Sequence, residues 1–152
     1  MSDKELVRRF FEDLIAGGDL SVSEEIAAPT YLEHAVAPFG HDEPGAVPGP
    51  EHLRGVAQWL RAQFPDVTMS VESMIQEGDI VAARVRSAGT NLGPLNGVVP
   101  PTGRRFDAYQ SHWFRVEDGR LAEHWATRDD LPTMIQLGVI QPPVRPGPPG
   151  RP

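Results

Sequence analysis

The sequence of 152 residues contains no cysteine, which excludes disulfide bonds, thiolate metal ligands and cysteine nucleophiles. It has no apolar run of about 18 residues, the minimum for a membrane-spanning helix, and charged residues interrupt its N-terminal segment too early for a secretory signal. Basic residues are the minority, 14 against 21 acidic ones, and the net charge of −7 argues against a nucleic-acid-binding surface. These absences predict a cytoplasmic protein that binds neither nucleic acids nor membranes.

Glycine and proline are plentiful, at 15 and 16 residues, and they concentrate in three stretches. Residues 36–50 and 93–103 predict long loops inside one domain that spans residues 1–140, and long loops in compact domains are often functional. Residues 141–152 consist mostly of proline and glycine, which cannot build a core, and they predict a disordered tail.

Apolar residues recur at helical spacing over residues 4–16 and 50–64, which predicts two amphipathic helices. A short helix is predicted over residues 21–28, where a proline follows. A terminal helix is predicted over residues 130–138, with Asp130 as its N-cap.

From residue 67 onward the apolar residues alternate with a period of two, which predicts strands over residues 67–75, 80–88, 104–116 and 120–127. A shorter strand is predicted over residues 30–35. Tight turns at residues 77–79 and 117–119 join neighbouring strands into hairpins. The predicted fold class is therefore α+β, with a curved antiparallel sheet that carries its helices on one face and encloses a conical pocket.

The even-numbered residues of the strand 104–116 form its more apolar face, which we expect to line the pocket beside Phe114. Gln110 and His112 are the polar interruptions of this face. A histidine there can bind a developing oxyanion or move a proton near neutral pH, although it can also be a core residue that bonds a backbone carbonyl. His124 is predicted to pair directly with His112 across the hairpin. We do not predict a metal site there, because no third ligand stands at a suitable spacing.

Several strings of this sequence resemble a known family: Tyr31-Leu32-Glu33-His34, Pro100-Pro101-Thr102-Gly103-Arg104, Ser111-His112-Trp113-Phe114, Glu123-His124-Trp125-Ala126-Thr127-Arg128-Asp129-Asp130-Leu131 and Gln136-Leu137-Gly138. With the order of predicted elements, they are similar to the SnoaL-like polyketide cyclases of the nuclear transport factor 2-like superfamily over residues 1–140. The resemblance implies a cone-shaped, cystatin-like fold in which a curved sheet wraps over N-terminal helices. It also implies a homodimer that packs through the sheet.

The resemblance further implies an intramolecular aldol ring closure on a hydrophobic, polyketide-like carbonyl compound, with no metal and no cofactor. In that chemistry a carboxylate removes a proton beside a carbonyl group. Many family members carry the acid directly after the tryptophan of the longest string, where this chain has Ala126. We therefore predict Asp129 as the base, in an apolar cavity within about 8 Å of the His112 ring.

The other candidate substrate-binding residues carry open alternatives. His34 either lines the pocket mouth or is a buried, hydrogen-bonded histidine. Asn91 either donates its amide to a ligand oxygen or supports a turn. Gln110, Phe114, His124 and Trp125 complete the predicted binding site, in which an aromatic wall would suit a flat ligand. His41 and His52 are expected to be solvent-exposed, and Arg84 and Arg86 to be solvated, salt-bridged or covered by a partner subunit.

Two further functions compete with the cyclase. The substitution at Ala126 motivates a binding protein that kept the pocket and lost the base. The arginines on the strand 80–88 motivate hydrolysis of an epoxide by an activated water molecule, although the expected Arg-x-Asp pattern is missing. Tyr109 and Trp113 lie on the other face of the strand 104–116, and they predict that a second copy covers that face.

Overall fold

The N-terminal helix forms as predicted but changes its winding halfway. In the computed structural model, which describes residues 1–36, 45–144 and 147, the α-helix α1 (Asp3–Arg9) continues as a π-helix, Phe10–Ala16. Both Phe10 and Phe11 are buried in this π-helix, at 5% and 0% exposure. Insertions of π-helix are frequent at functional sites, and here they place two neighbouring rings in the core.

The remaining elements follow in the order α2 (Val22–Ile26), β1 (Ala27–Glu33), α3 (Pro50–Gln63), β2 (Thr68–Glu77), β3 (Ile80–Thr90), β4 (Arg105–Glu117), β5 (Arg120–Arg128) and α4 (Asp130–Gln136). The strands form one sheet of five, in the order β1-β5-β4-β3-β2. The predicted α+β class is confirmed. No helix in the described part of the chain is long and apolar enough to cross a membrane.

The sheet is mixed rather than wholly antiparallel as predicted. Strands β2 to β5 form antiparallel hairpins, but β1 pairs with β5 in parallel. A parallel pair needs a long crossover, and here all the chain between β1 and β5 supplies it. Strand β1 also begins at Ala27, so α2 ends earlier than predicted, because Pro29 is tolerated on an edge strand where its missing N–H breaks no ladder.

The register of the β4–β5 hairpin differs from the prediction. A bulge between Arg115 and Val116 places His112 opposite Ala126 and His124 opposite Phe114. The predicted direct pairing of the two histidines is therefore wrong, because the turn has two residues, with Glu117 opposite Arg120, and the bulge adds one extra residue to β5. Their predicted shared face is confirmed, since their rings stack at 5.1 Å.

The helices pack on the face of the sheet that carries Phe106, Phe114 and Val81, and they bury these side chains with their own. The predicted long loop between β3 and β4 is confirmed, and within it Leu95 and Val99 form an isolated bridge. The predicted disorder of residues 141–152 concerns residues that lie mostly outside the described part of the chain, as does His41.

The start of α4 corrects a further prediction. Asp129, not Asp130, occupies the N-cap position, and its side chain makes no capping hydrogen bond. The Asp129 carbonyl instead accepts a hydrogen bond from the hydroxyl of Thr133 at 2.9 Å. The Asp130 carboxylate pairs with Arg128 at 3.3 Å.

Candidate functional site

Four polar side chains form one hydrogen-bonded line on the inner face of the sheet. The Glu33 carboxylate lies 2.8 Å from Nδ1 of His124, and Nε2 of His124 lies 2.8 Å from Nδ1 of His112. Nε2 of His112 in turn lies 2.9 Å from Oε1 of Gln110. The line therefore connects an edge-strand carboxylate on β1 to the half-buried amide of Gln110 on β4.

His112 occupies the position that the strand pattern predicts. It is 4% exposed, and it faces the helices, with its ring 4.8 Å from that of Phe11 and beside Phe114. Burial, together with the neighbouring His124, holds the pKa of His112 well below its usual value. The alternative of a histidine bonded to a backbone carbonyl is wrong, because both ring nitrogens face other side chains.

Glu33 is the charged end of the line. Its carboxylate accepts hydrogen bonds from the Tyr31 hydroxyl at 3.0 Å, from the Ala35 amide at 2.8 Å and from His124. Burial alone would raise the pKa of this carboxyl, but the hydrogen bonds from His124 and the Ala35 amide, with His52 close by, outweigh it and lower the pKa. Glu33 is therefore a buried, ionised carboxylate.

His52 is half-buried, so the expectation of an exposed side chain is wrong. Its ring stacks on Tyr31 at 6.2 Å, and its Nε2 lies 3.7 Å from Oε2 of Glu33. That separation is too long for a hydrogen bond, and this buried Nε2 has no hydrogen-bond partner among the residues that the structure describes. On helix α3, His52 lies one position before the fully buried Leu53, at the edge of the buried face.

Two predicted binding residues lie on the outer face of the sheet. His34 and Trp125 stack on each other with ring centroids 4.7 Å apart, and Trp125 is 37% exposed. The Nε2 atom of His34 lies 2.7 Å from the Glu123 carboxylate. Neither position fits the inner-face site, because side chains on a strand alternate between the two faces.

Asn91 is fully buried, and its amide is engaged with the loop that follows it. Its Nδ2 donates to the carbonyl of Gly93 at 2.6 Å, and its Oδ1 accepts from the Thr102 amide at 2.8 Å. These contacts match the alternative in which Asn91 supports the turn. Arg84 and Arg86 form ion pairs with Glu72 and Asp107, as one alternative for them predicts.

Asp129 does not lie in an apolar cavity as expected, because its side chain is exposed. It lines a polar depression of about 160 Å³ whose wall also includes Gln110, Arg128 and Tyr109. The depression lies on the outer face of the sheet, because Arg84, Ser111 and Thr127 in its wall follow one row of that face. The line of polar residues from Glu33 lies on the inner face and ends at the half-buried Gln110.

Sequence reasoning missed Glu33 and Tyr31, although both stand in a string singled out above. The signal is a repeated Glu-His pair, Glu33-His34 at the end of β1 and Glu123-His124 on β5. Alternation within each strand sends one member of each pair inward, and the parallel register brings Glu33 opposite His124. The prediction of an antiparallel sheet concealed this juxtaposition.

A family match and two sequence relatives of this chain all carry the description of a cyclase. Residues 5–137 match a family described as SnoaL-like polyketide cyclase. The chain is 33% identical to the aklanonic acid methyl ester cyclase DnrD of Streptomyces peucetius over 135 residues, 88% of this chain and 89% of that protein. It is 34% identical to the nogalonic acid methyl ester cyclase of Streptomyces nogalater over 116 residues, 76% of this chain and 82% of that protein.

The solved structures agree with these sequence relatives. Wild-type IdmH from Streptomyces antibioticus superposes with a TM-score of 0.76 at 35% identity, covering 91% of this chain and 100% of that one. This similarity confirms the fold that the sequence strings predicted, with a curved sheet over N-terminal helices.

Proposed function

This chain belongs to the SnoaL-like polyketide cyclase family, and on that premise we propose that it closes a ring in a small polyketide-derived carbonyl compound by general acid/base catalysis. The observation that carries the proposal is the line of hydrogen bonds from Glu33 to Gln110, with His112 as its reactive member. A buried imidazole with a low pKa is neutral near pH 7 and can accept a proton.

The reaction class is an intramolecular aldol addition. A base removes a proton beside a carbonyl group, the resulting enolate attacks a second carbonyl group in the same molecule, and the new alkoxide takes a proton back. The substrate and product have the same composition, so the protein has only to move protons and hold two carbonyl groups near each other.

His112 is our first candidate for the base and Asp129 the second. Ala126 lies directly opposite His112 in the sheet, so no carboxylate stands at the family's usual position. Asp129 lines the polar depression on the outer face, and its exposure leaves its charge solvated. A base works best where water is excluded, which favours His112.

The test is turnover of aklanonic acid methyl ester, the compound in the name of the relative DnrD, followed as a product of unchanged mass and altered retention. We expect His112→Gln to lower kcat by at least about a hundredfold, the usual effect of removing a general base, and Asp129→Asn to change it little. The opposite ranking would make Asp129 the base. Turnover that survives both changes would contradict the proposal.

The competing proposal is a protein that binds such compounds without transforming them, and Ala126 supports it. It predicts that the ester binds with unchanged mass and retention after prolonged incubation. Binding is measured by the quenching of tryptophan fluorescence, because Trp59, Trp113 and Trp125 are the available reporters.

We also propose that the protein is a homodimer packed through the outer face of the sheet. The register of four neighbouring strands places Ile75, Ala82, Trp113 and Trp125 in one row on that face. Ile75 is 73% exposed and Trp113 38%, and such a row is a surface that a second copy can cover. Light scattering should give twice the chain mass for the wild type and a lower mass for Trp113→Asp, whereas a monomeric wild type at micromolar concentration would contradict the proposal.

A further inference from the structure

With Oε1 of Gln110 facing His112, the hydrogen-bonded line needs one proton more than two neutral histidines carry. Nδ1 of His124 must donate to the ionised Glu33 carboxylate, and Nε2 of His112 must donate to Oε1 of Gln110. A third proton must lie between Nε2 of His124 and Nδ1 of His112. Two neutral imidazoles hold only two such protons, so with Gln110 in this orientation the two rings share one positive charge.

The positive charge belongs on His124, which lies against the ionised Glu33 carboxylate. Burial and the charge of His124 both disfavour a proton on His112, which holds its pKa well below its usual value. Tyr31 from β1 and His52 from α3 face the Glu33 carboxylate, and the charge of Arg128 from β5 also lowers the pKa of His112. The π-helix covers the rings with Phe10 and Phe11.

Gln110 permits a second state with one proton fewer. If its amide makes a half-turn, the NH₂ group donates to an unprotonated Nε2 of His112, and every other hydrogen bond keeps its two atoms. Gln110 is half-buried, whereas Glu33, His124 and His112 are each no more than 8% exposed, so solvent or a ligand reaches the line at the Gln110 end. The two states therefore differ by one proton that enters at the end of the line facing solvent.

We propose that Glu33, His124 and His112 form a proton relay that does the work of the carboxylate missing at Ala126. The proposal has two parts. The catalytic part, removal of a substrate proton by His112, rests on the function proposed above. The proton-holding part, one proton shared by His112 and His124, is a property of the protein without substrate. Within the relay, His112 is the catalytic residue, and Glu33 and His124 are positioning residues that hold the charge.

The relay balances without any further reactant. The substrate C–H bond breaks, its electron pair stays on the substrate as an enolate, and the proton bonds to Nε2 of His112. The Nδ1 proton of His112 then passes to Nε2 of His124, which leaves the imidazolium of His124 beside the carboxylate of Glu33. After ring closure both transfers reverse, and the proton returns to the new alkoxide oxygen.

The test is the titration of the ring nitrogens by NMR, with ¹⁵N-labelled histidine in the protein without substrate, between pH 5 and 9. We expect the rings of His112 and His124 to respond together to the uptake of one proton, while Nδ1 of His124 stays protonated throughout. In Glu33→Gln the midpoint should fall by about 1–3 pH units, because an opposite charge next to the pair is lost.

Glu123→Gln is the matched control, since it removes the carboxylate of the Glu–His pair on the outer face and should leave that midpoint unchanged. Independent titration of the two rings, or a midpoint in Glu33→Gln equal to the wild-type one, would overturn the relay. If Glu33→Gln does not fold, Gln110→Glu replaces it at the half-buried end. A carboxylate there should shift the ring signals of His124 as well as those of His112, and unchanged His124 signals would also overturn the relay.

Turnover separates failure of the relay from failure of the proposed function. With aklanonic acid methyl ester as the probe, the pH profile of kcat should shift in Glu33→Gln and stay in place in Glu123→Gln. Joint titration without any turnover would support the proton-holding part and contradict the catalytic part. Turnover with independent titration would support the cyclase and overturn the relay.

Discussion

Strands β1 and β5 are joined by two Glu–His pairs of identical composition on opposite faces of the sheet. Glu33 meets His124 inside, and His34 meets Glu123 outside. The inner side chains are 6% and 10% exposed, whereas the outer ones are 35% and 23% exposed. The two pairs thus consist of the same residue types at neighbouring positions, and they differ mainly in the burial of their side chains.

The surroundings of each pair follow from its face. The inner carboxylate also accepts a hydrogen bond from Tyr31, and its histidine continues into His112. The outer carboxylate also pairs with Arg115 at 2.7 Å, where water can replace any partner that is lost. Every donor of a buried pair needs an acceptor within the protein, so a change at one residue alters the hydrogen bonds of the other. An exposed pair can exchange protons and hydrogen-bond partners with solvent.

The largest difference between the pairs should appear in stability. Glu33→Ala leaves the buried His124 without its carboxylate, and we expect the free energy of unfolding to fall by about 3–5 kcal/mol. Glu123→Ala should lower it by no more than about 1 kcal/mol, as is usual for exposed pairs. Urea denaturation of both variants at pH 7.5 measures the two values, and equal losses would show that burial does not distinguish the pairs.

The second difference concerns the pH dependence of stability. The pKa of His112 lies well below the ordinary value of 6.5, because the ring is buried beside His124. Above pH 6.5 this ring is neutral in both the folded and the unfolded state, so it adds no pH dependence there. Below pH 6.5 the unfolded chain binds a proton that the folded protein resists, so stability should fall with pH by up to about 1.4 kcal/mol per unit.

Urea denaturation between pH 5 and 8 checks this slope. His112→Gln should flatten the slope between pH 6.5 and 5, and His34→Gln, which alters the exposed histidine, should leave it as in the wild type. A slope that His112→Gln leaves unchanged would show that the loss of stability below pH 6.5 comes from another residue.

The sequence predicts correctly which residues of β4 point inward, but it does not predict which residues of the neighbouring strands they meet. Strict alternation of apolar residues determined that His112 points inward, and the structure buries it at 4% exposure. The position of His124 relative to His112 depends on a β-bulge, and no local sequence pattern predicts that bulge. Alternation is local, but register is a property of two strands together.

The missing carboxylate shows the same limit. The predicted base is Asp129, which we expect within about 8 Å of the His112 ring. Its side chain is exposed in the structure. Glu33 is 91 residues from His124 along the chain, and only the parallel pairing of β1 with β5 brings the two together. A prediction based on hairpins could not produce that contact, because hairpins join antiparallel neighbours.

The smallest expected difference is the response to salt. Exposed charges are screened over about 10 Å at 0.1 M ionic strength and over about 3 Å at 1 M, whereas buried pairs are screened much less. In 1 M sodium chloride the stability loss of Glu123→Ala should therefore shrink toward zero, while that of Glu33→Ala should keep most of its size. Both are measured as differences from the wild type in the same salt, which removes the general effect of salt on folding. Salt that reduces the two losses by the same fraction would mean that water and ions reach the inner pair, and the inner pair would then lack the isolation from solvent that a shared proton requires.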